Sequence, residues 1–239
     1  MDEQTSRDLK ELISFWDQAF VLSGEEQAQA RARGGKDPAL LAPSGKLYEA
    51  ACSLGARKKV LDYGCGTGWA GIIAARNGCG DVTAADAAPA AVQAARFYAG
   101  LYGVEACVHP QRAGTDWLKT VPDGAFDGFF CSNVLDVVPP ETAADILRES
   151  ARITAPDAAV IISLNFCLTR EAAARRGMPL RDGGKLYVDG VLRLVSRTDE
   201  EWERLFAPWY SVRRLEHFAW PGEASETRRL FYLAKREGL

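Results

Sequence analysis

The chain has 239 residues, 47% apolar and 26% charged, with a formal net charge of −3. That suits one sizeable α/β domain with additions and argues against a polyanionic partner. Basic residues fall only in pairs or triplets (Arg57-Lys58-Lys59, Arg175-Arg176, Arg213-Arg214, Arg228-Arg229) that read as solvated helix ends and strand edges. Six cysteines with no CxxC spacing and two histidines argue against a zinc site, so no metal is expected. The polar start shows no signal peptide, and no apolar run approaches the ~18 residues of a membrane span; the expected setting is a reducing cytoplasm.

Taken in chain order, Leu9, Leu12, Ile13, Trp16 and Phe20 form one apolar face of a helix over about Ser6–Leu22. Gly34-Gly35-Lys36-Asp37-Pro38 breaks it. A second helix runs from Ser44, an N-cap, to Leu54. Residues 1–55 thus read as a helical extension, serving as core or as a lid, ahead of a main domain over 56–239. Strand and helix signals then alternate: strand at Lys59–Tyr63, helix at Trp69–Asn77, strand at Asp81–Ala85 ending at Asp86, and helix at Pro89–Leu101. Strands follow at Glu105–His109 and Phe126–Ser132, then a helix at Glu141–Ile153 and a strand at Ala159–Leu164. Such alternation implies βαβ units and a parallel sheet. Residues 166–197 read as a Gly-rich loop or insertion near the substrate site. Thr198-Asp199-Glu200-Glu201 is a capping box opening a short helix, and Ser211–Phe218 with Arg229–Ala234 read as a closing pair of strands.

The most informative stretch is Val60-Leu61-Asp62-Tyr63-Gly64-Cys65-Gly66-Thr67-Gly68. An apolar strand ends in a carboxylate, and glycines at alternate positions let a nucleotide-like ligand approach bare backbone in a turn that needs positive φ. A dinucleotide fingerprint would need Gly or Ala where Trp69 stands, and Asp62 would repel a pyrophosphate, so a nicotinamide oxidoreductase is disfavoured. Asp86 lies about 20 residues on, where a ribose-binding acid sits; taken alone, it is equally an ordinary strand-end or capping residue.

The pattern resembles the first motif of the class I S-adenosylmethionine (AdoMet) methyltransferases, over about residues 56–164. That resemblance implies a Rossmann-like fold with a mostly parallel seven-stranded sheet, helices on both faces and an antiparallel C-terminal hairpin. It implies AdoMet as cofactor and S-adenosylhomocysteine as product. The cofactor-binding residues it implies are Asp62 for the amino group, Gly64, Cys65, Gly66 and Gly68 in the turn, and Asp86 with Ala87 at the ribose. Asp116 and Trp117 would meet the adenine, and Ser132 and Asn133 the methionine end. Many small-molecule and quinone methyltransferases carry Glu-His near Asp136-Val137; here Val137 replaces the histidine, leaving Asp136 as a weak catalytic candidate. The expected role is SN2 methyl transfer to a small molecule, needing no base where the acceptor is already nucleophilic. The alternative is a non-catalytic AdoMet-binding or partner-binding domain of the same fold. Neither nucleic acid nor membrane is an expected partner, and both monomer and homodimer remain open. His109 reads as a strand-end residue, and His217 as facing either solvent or the active-site mouth.

Overall fold

The computed structural model describes residues 2–236. Three helices come first: α1 (Glu3–Ala19), α2 (Gly24–Arg33) and α3 (Gly45–Ser53). The alternating part holds β1 (Val60–Tyr63), α4 (Trp69–Arg76), β2 (Val82–Asp86), α5 (Pro89–Leu101) and β3 (Val108–Arg112). It continues with α6 (Thr115–Leu118), β4 (Phe126–Ser132), α7 (Pro140–Ile153) and β5 (Thr154–Leu164). Next come α8 (Arg170–Arg175), the hairpin β6 (Lys185–Val188) and β7 (Val191–Val195), α9 (Asp199–Phe206), β8 (Tyr210–Phe218) and β9 (Arg228–Lys235).

One seven-stranded sheet runs β3-β2-β1-β4-β5-β9-β8, and β6-β7 stands apart. β1 to β5 pair in parallel, while β9 is antiparallel to both of its neighbours, β5 and β8. This is the Rossmann-like arrangement with an antiparallel C-terminal hairpin. The strand order reverses direction between β1 and β4, so a crevice opens at their carboxyl ends, where ligands bind in open α/β sheets. All four β1 residues are buried, as a central parallel strand requires. Strand alternation sends Leu61 and Tyr63 to the core shared with Phe129, Leu147 and Phe231, and Val60 to the opposite core with Ile72, Ile73 and Val82. Among the described residues, no helix is long and apolar enough to cross a membrane.

Three expectations need correction. The third strand lies at Val108–Arg112 rather than Glu105–His109, because the preceding residues are committed to a turn: Val104 N–H closes on the Ala99 carbonyl and Cys107 N–H on that of Val104. Residues 166–197, expected as a loop or insertion, are not one loop. They carry α8 and the β6–β7 hairpin, whose Asp189-Gly190 turn has φ of 51° and 82°, the pattern of a tight type I′ connection. The segment after Phe20 also holds an unexpected helix, α2, opened by a reciprocal Ser23–Glu26 capping box.

Gly71 sets the spacing between α4 and the sheet. A Cβ there would lie 2.9 Å from Val82 Cγ1 and 3.3 Å from Asp62 Oδ2. Alanine would raise helix propensity by about 1 kcal/mol, but the overpacking cost of about 1–3 kcal/mol outweighs that gain. Gly71→Ala is therefore expected to lower the urea midpoint; a midpoint at or above the parent's would refute this account of the packing.

Candidate active site

A cavity of about 600 Å³ opens at the carboxyl ends of β1, β2 and β4. Its floor is the turn after β1. Gly64 and Gly66 have φ of 69° and 53°, and neither position has room for a side chain. A Cβ on Gly64 would fall 2.2 Å from Val134 Cγ2, and one on Gly66 would fall 2.9 Å from the Phe20 ring. The amides of this turn point back into the protein. Gly64 and Cys65 N–H both donate to the Ala85 carbonyl, at 2.8 and 3.1 Å, and Gly66 N–H donates to Asp86 Oδ2 at 2.9 Å. A pyrophosphate would need such amides free, so the turn is not built for a dinucleotide.

Asp86 ends β2 on the cavity wall, beside Ala87. Its second oxygen accepts Ala88 N–H at 2.9 Å, at the start of α5. Burial pushes the carboxyl above its usual range, opposed by the Ala88, Gly66 and Ala87 backbone donors and reinforced by nearby Asp17. The carboxylate is thus fixed in orientation while still facing the cavity.

Of the other sequence-predicted positions, Gly64, Cys65, Gly66, Asp116, Ser132 and Asn133 also line the cavity. Cys65 is buried, and burial pushes its thiol well up, so it serves as packing. Asp116 turns its carboxylate outward to Lys119 Nζ at 2.8 Å, and that hydrogen bond and charge hold it below the usual range. Asn133 takes the left-handed conformation, φ 54°, at the end of β4, its N–H donating to the Ser163 carbonyl at 2.8 Å. Such backbone is uncommon for a side-chain-bearing residue and collects at functional sites.

Four predicted residues do not line the cavity: Asp62, Gly68, Trp117 and Asp136. Asp62 is buried on the α4 side of β1 and accepts Gly71 N–H at 3.0 Å. Burial pushes its carboxyl up to about 7. Gly68 is the N-cap of α4. Trp117 packs into the core from α6. Asp136 is fully buried: Oδ2 accepts Asn165 N–H at 2.6 Å, and its carbonyl accepts Val195 N–H at 2.6 Å. It holds two loops together out of reach of a substrate. His109 is exposed and is the second residue of β3, 3.9 Å from Asp81; His217 Nε2 lies 2.9 Å from Asp199 Oδ2, outside the cavity lining.

The roof is α1. Leu9, Leu12, Ile13, Trp16 and Phe20 all line the cavity, so the apolar face read from the sequence covers the site. α1 is fastened at both ends: Asp17 accepts Ala90 N–H at 2.7 Å, and Asp8 accepts the Tyr187 hydroxyl of β6 at 2.8 Å. Sequence reading missed Trp220, on the loop after β8, which also lines the cavity. It lies far along the chain from the glycine motif, and no local pattern marks it.

Comparisons with known proteins agree with this architecture. Residues 60–157 match the model of a family described as a methyltransferase domain. The ribosomal protein L11 methyltransferase of Cupriavidus taiwanensis is 30% identical over 150 residues, covering 63% of this chain and 37% of that protein. The chain thus aligns with little more than a third of such curated relatives. An S-adenosylmethionine-dependent methyltransferase from Mesorhizobium loti superposes with a TM-score of 0.60 at 20% identity, covering 82% of this chain and 100% of that one. The N-methyltransferase NodS from Bradyrhizobium japonicum WM9, solved with S-adenosyl-L-homocysteine, superposes at 0.56 with 16% identity, over 80% and 84%.

Asp62 makes stability depend on pH. Its carboxyl sits near 7 in the folded chain against 3.8 as a free side chain, so folding favours the protonated form. Stability is full below pH 3.8 and lost as pH rises through 7. Between pH 5 and pH 8 the loss is about 2–3 kcal/mol. Asp62→Asn, which can still accept the Gly71 N–H, is expected to flatten that slope in urea melts; an unchanged slope would rule Asp62 out as its source.

Proposed function

We propose that this chain, a member of the class I AdoMet-dependent methyltransferases, transfers a methyl group from AdoMet to a small-molecule acceptor by SN2 displacement. The observation that carries the reading is Asp86, a carboxylate fixed at the end of β2 and facing a cavity floored by side-chain-free backbone. The residues fit the donor. Asp86 can accept from both ribose hydroxyls, and the stretch Ala113–Asp116 provides the wall for the base. Ser132 and Asn133 supply polar atoms at the end of β4. Asp62 would act on a ligand amine only through its field, since its oxygens face α4. Residues 1–55 serve as a lid, and the segment 166–197 braces it through Tyr187.

When bound, AdoMet supplies an electrophilic methyl on a sulfonium whose leaving group is a neutral thioether. The task left to the chain is to position the acceptor and exclude water. α1 does the latter by placing five apolar side chains over the crevice. Among the described residues, no histidine or lysine lines the cavity, and Asp136 is shut away. The accepting atom must therefore be nucleophilic on arrival. The six cysteines are all free thiols, as a reducing compartment would keep them.

A second reading, transfer to a protein side chain, is favoured by the likeness to the ribosomal protein L11 methyltransferases. A chain that binds AdoMet but never turns over would be the non-catalytic alternative. Calorimetry is expected to show micromolar binding of AdoMet and S-adenosylhomocysteine. Asp86→Ala is expected to weaken both by about 10–100-fold, the worth of one or two charged hydrogen bonds. Methyl-labelled AdoMet with a metabolite extract should put the label in acid-soluble products. No heat with either nucleoside would overturn the cofactor assignment, and label confined to acid-precipitable protein would overturn the small-molecule acceptor.

A further inference from the structure

Resting on that reading, we propose that the acceptor is an uncharged, largely apolar ring compound, selected by an aromatic wall whose fixed element is Trp220. Three observations converge on this chemistry.

The first is charge. Among the described residues lining the cavity, the only charged ones are Asp86 and Asp116, and the carboxylate of Asp116 is turned outward to Lys119. An acceptor bearing a carboxylate, phosphate or sulfate would find no side-chain cation to pair with it, only the donor's sulfonium, whose charge is lost on methyl transfer, and would face Asp86; burying an unpaired charge costs several kcal/mol. A cationic acceptor would have to approach the positive sulfonium of the donor. Only a neutral acceptor escapes both penalties.

The second is shape. Trp16, Phe20, Trp69 and Trp220 line the cavity, with Trp16 stacked on Phe20 at 5.5 Å between centroids and Trp69 held edge-on by Phe130 at 5.3 Å. Flat apolar walls favour a flat apolar guest. They would also suit a cation, but two of the rings are already engaged. The Arg228 guanidinium lies 3.4 Å from the Trp220 ring centroid, and that of Arg193 lies 5.6 Å from Trp16. Neither arginine lines the cavity, so each ring meets its cation away from the guest.

The third is rigidity. The Trp220 backbone N–H donates to Glu223 Oε2 at 2.8 Å, and Glu223 grips Arg228, on which the ring stacks, at 2.6 to 3.0 Å; the indole Nε1 is buried without a partner. Arg228 Nη1 donates to Asn165 Oδ1 at 2.6 Å, and Asn165 N–H donates to Asp136. This relay gives the buried acid a use: Asp136, Asn165, Arg228 and Glu223 are positioning residues for the Trp220 wall. A ring whose backbone is tied to Glu223 and whose face is backed by an anchored Arg228 selects a guest rather than adapting to it.

The test uses the full chain saturated with sinefungin, an unreactive AdoMet analogue with an ammonium in place of the sulfonium; its binding and that of S-adenosylhomocysteine are measured first and separately, so failure of the cofactor assignment is seen as such. Equilibrium dialysis then compares three probes of one ring size: 1-naphthol, 1-naphthoate and 1-naphthylmethylammonium, at pH 7. The neutral probe is expected to bind at least 10-fold more tightly than either charged one. Trp220→Ala should weaken it at least 5-fold and Trp220→Phe less than 2-fold, with both variants melting as the parent does. Glu223→Gln, which frees Arg228, should weaken 1-naphthol while leaving the affinity for S-adenosylhomocysteine unchanged, a split that a general loss of stability would not give. Equal or tighter binding of a charged probe, no binding of 1-naphthol, or indifference to Trp220→Ala in a folded variant would each overturn the proposal.

Discussion

The carboxylate of Asp86 ties the site together. One oxygen takes the Gly66 amide and the other the Ala88 amide, while the Ala85 carbonyl takes the amides of Gly64 and Cys65. The turn after β1 is thereby stitched to the end of β2 and the start of α5 before any ligand arrives. Every amide used in the stitching is one that a phosphate group cannot have. What faces the cavity instead is smooth backbone with a single anion beside it, a surface suited to a sugar with two free hydroxyls. On the proposed reading, the preference for a nucleoside over a dinucleotide rests on where four N–H groups point.

The cavity is assembled from two sources. The donor half comes from the ends of β1, β2 and β4, within a compact stretch of sequence. The half that would meet an acceptor comes from far apart: α1 overhead and Trp220 from the loop before β9. Both are secured by partly buried polar contacts, Asp17 to α5, Asp8 to Tyr187, and Arg228 to Asn165 and Glu223. Under the proposed function the separation would be a division of labour, with donor binding in the α/β core and the acceptor read by what is attached to it.

That division also explains what was legible in the sequence. β1, β2 and β4 are central parallel strands, so they read as short apolar runs between turn signals, and the glycines mark themselves. β3 is an edge strand with buried and exposed residues mixed, so no clean apolar run marks it and the expected Glu105–His109 began three residues early. The β6–β7 hairpin carried a signal that went unused: Asp189-Gly190 between Val188 and Val191 is a two-residue turn. Ser23 with Glu26 likewise announced α2. Asp62 illustrates a different limit. Its spacing from the glycines pointed to a ligand, but the period of two along β1 sends it to the face opposite Tyr63, where Gly71 offers the nearest donor. Trp220 had no local signature at all, because its place on the wall depends on partners at Asn165, Glu223 and Arg228.

The position of β9 bears on how the chain reaches this state. β9, the latest in chain order of the described strands, is not at an edge but between β5 and β8, antiparallel to both. Until it is made, β5 presents an unpaired border that includes Val160, Ile161 and Ile162, and β8 has nothing to join. Exposed apolar borders of that kind invite pairing with other chains. Nascent chains that stall before residue 228 should therefore be the aggregation-prone species, carrying every ring of the cavity wall but not the arginine that backs Trp220.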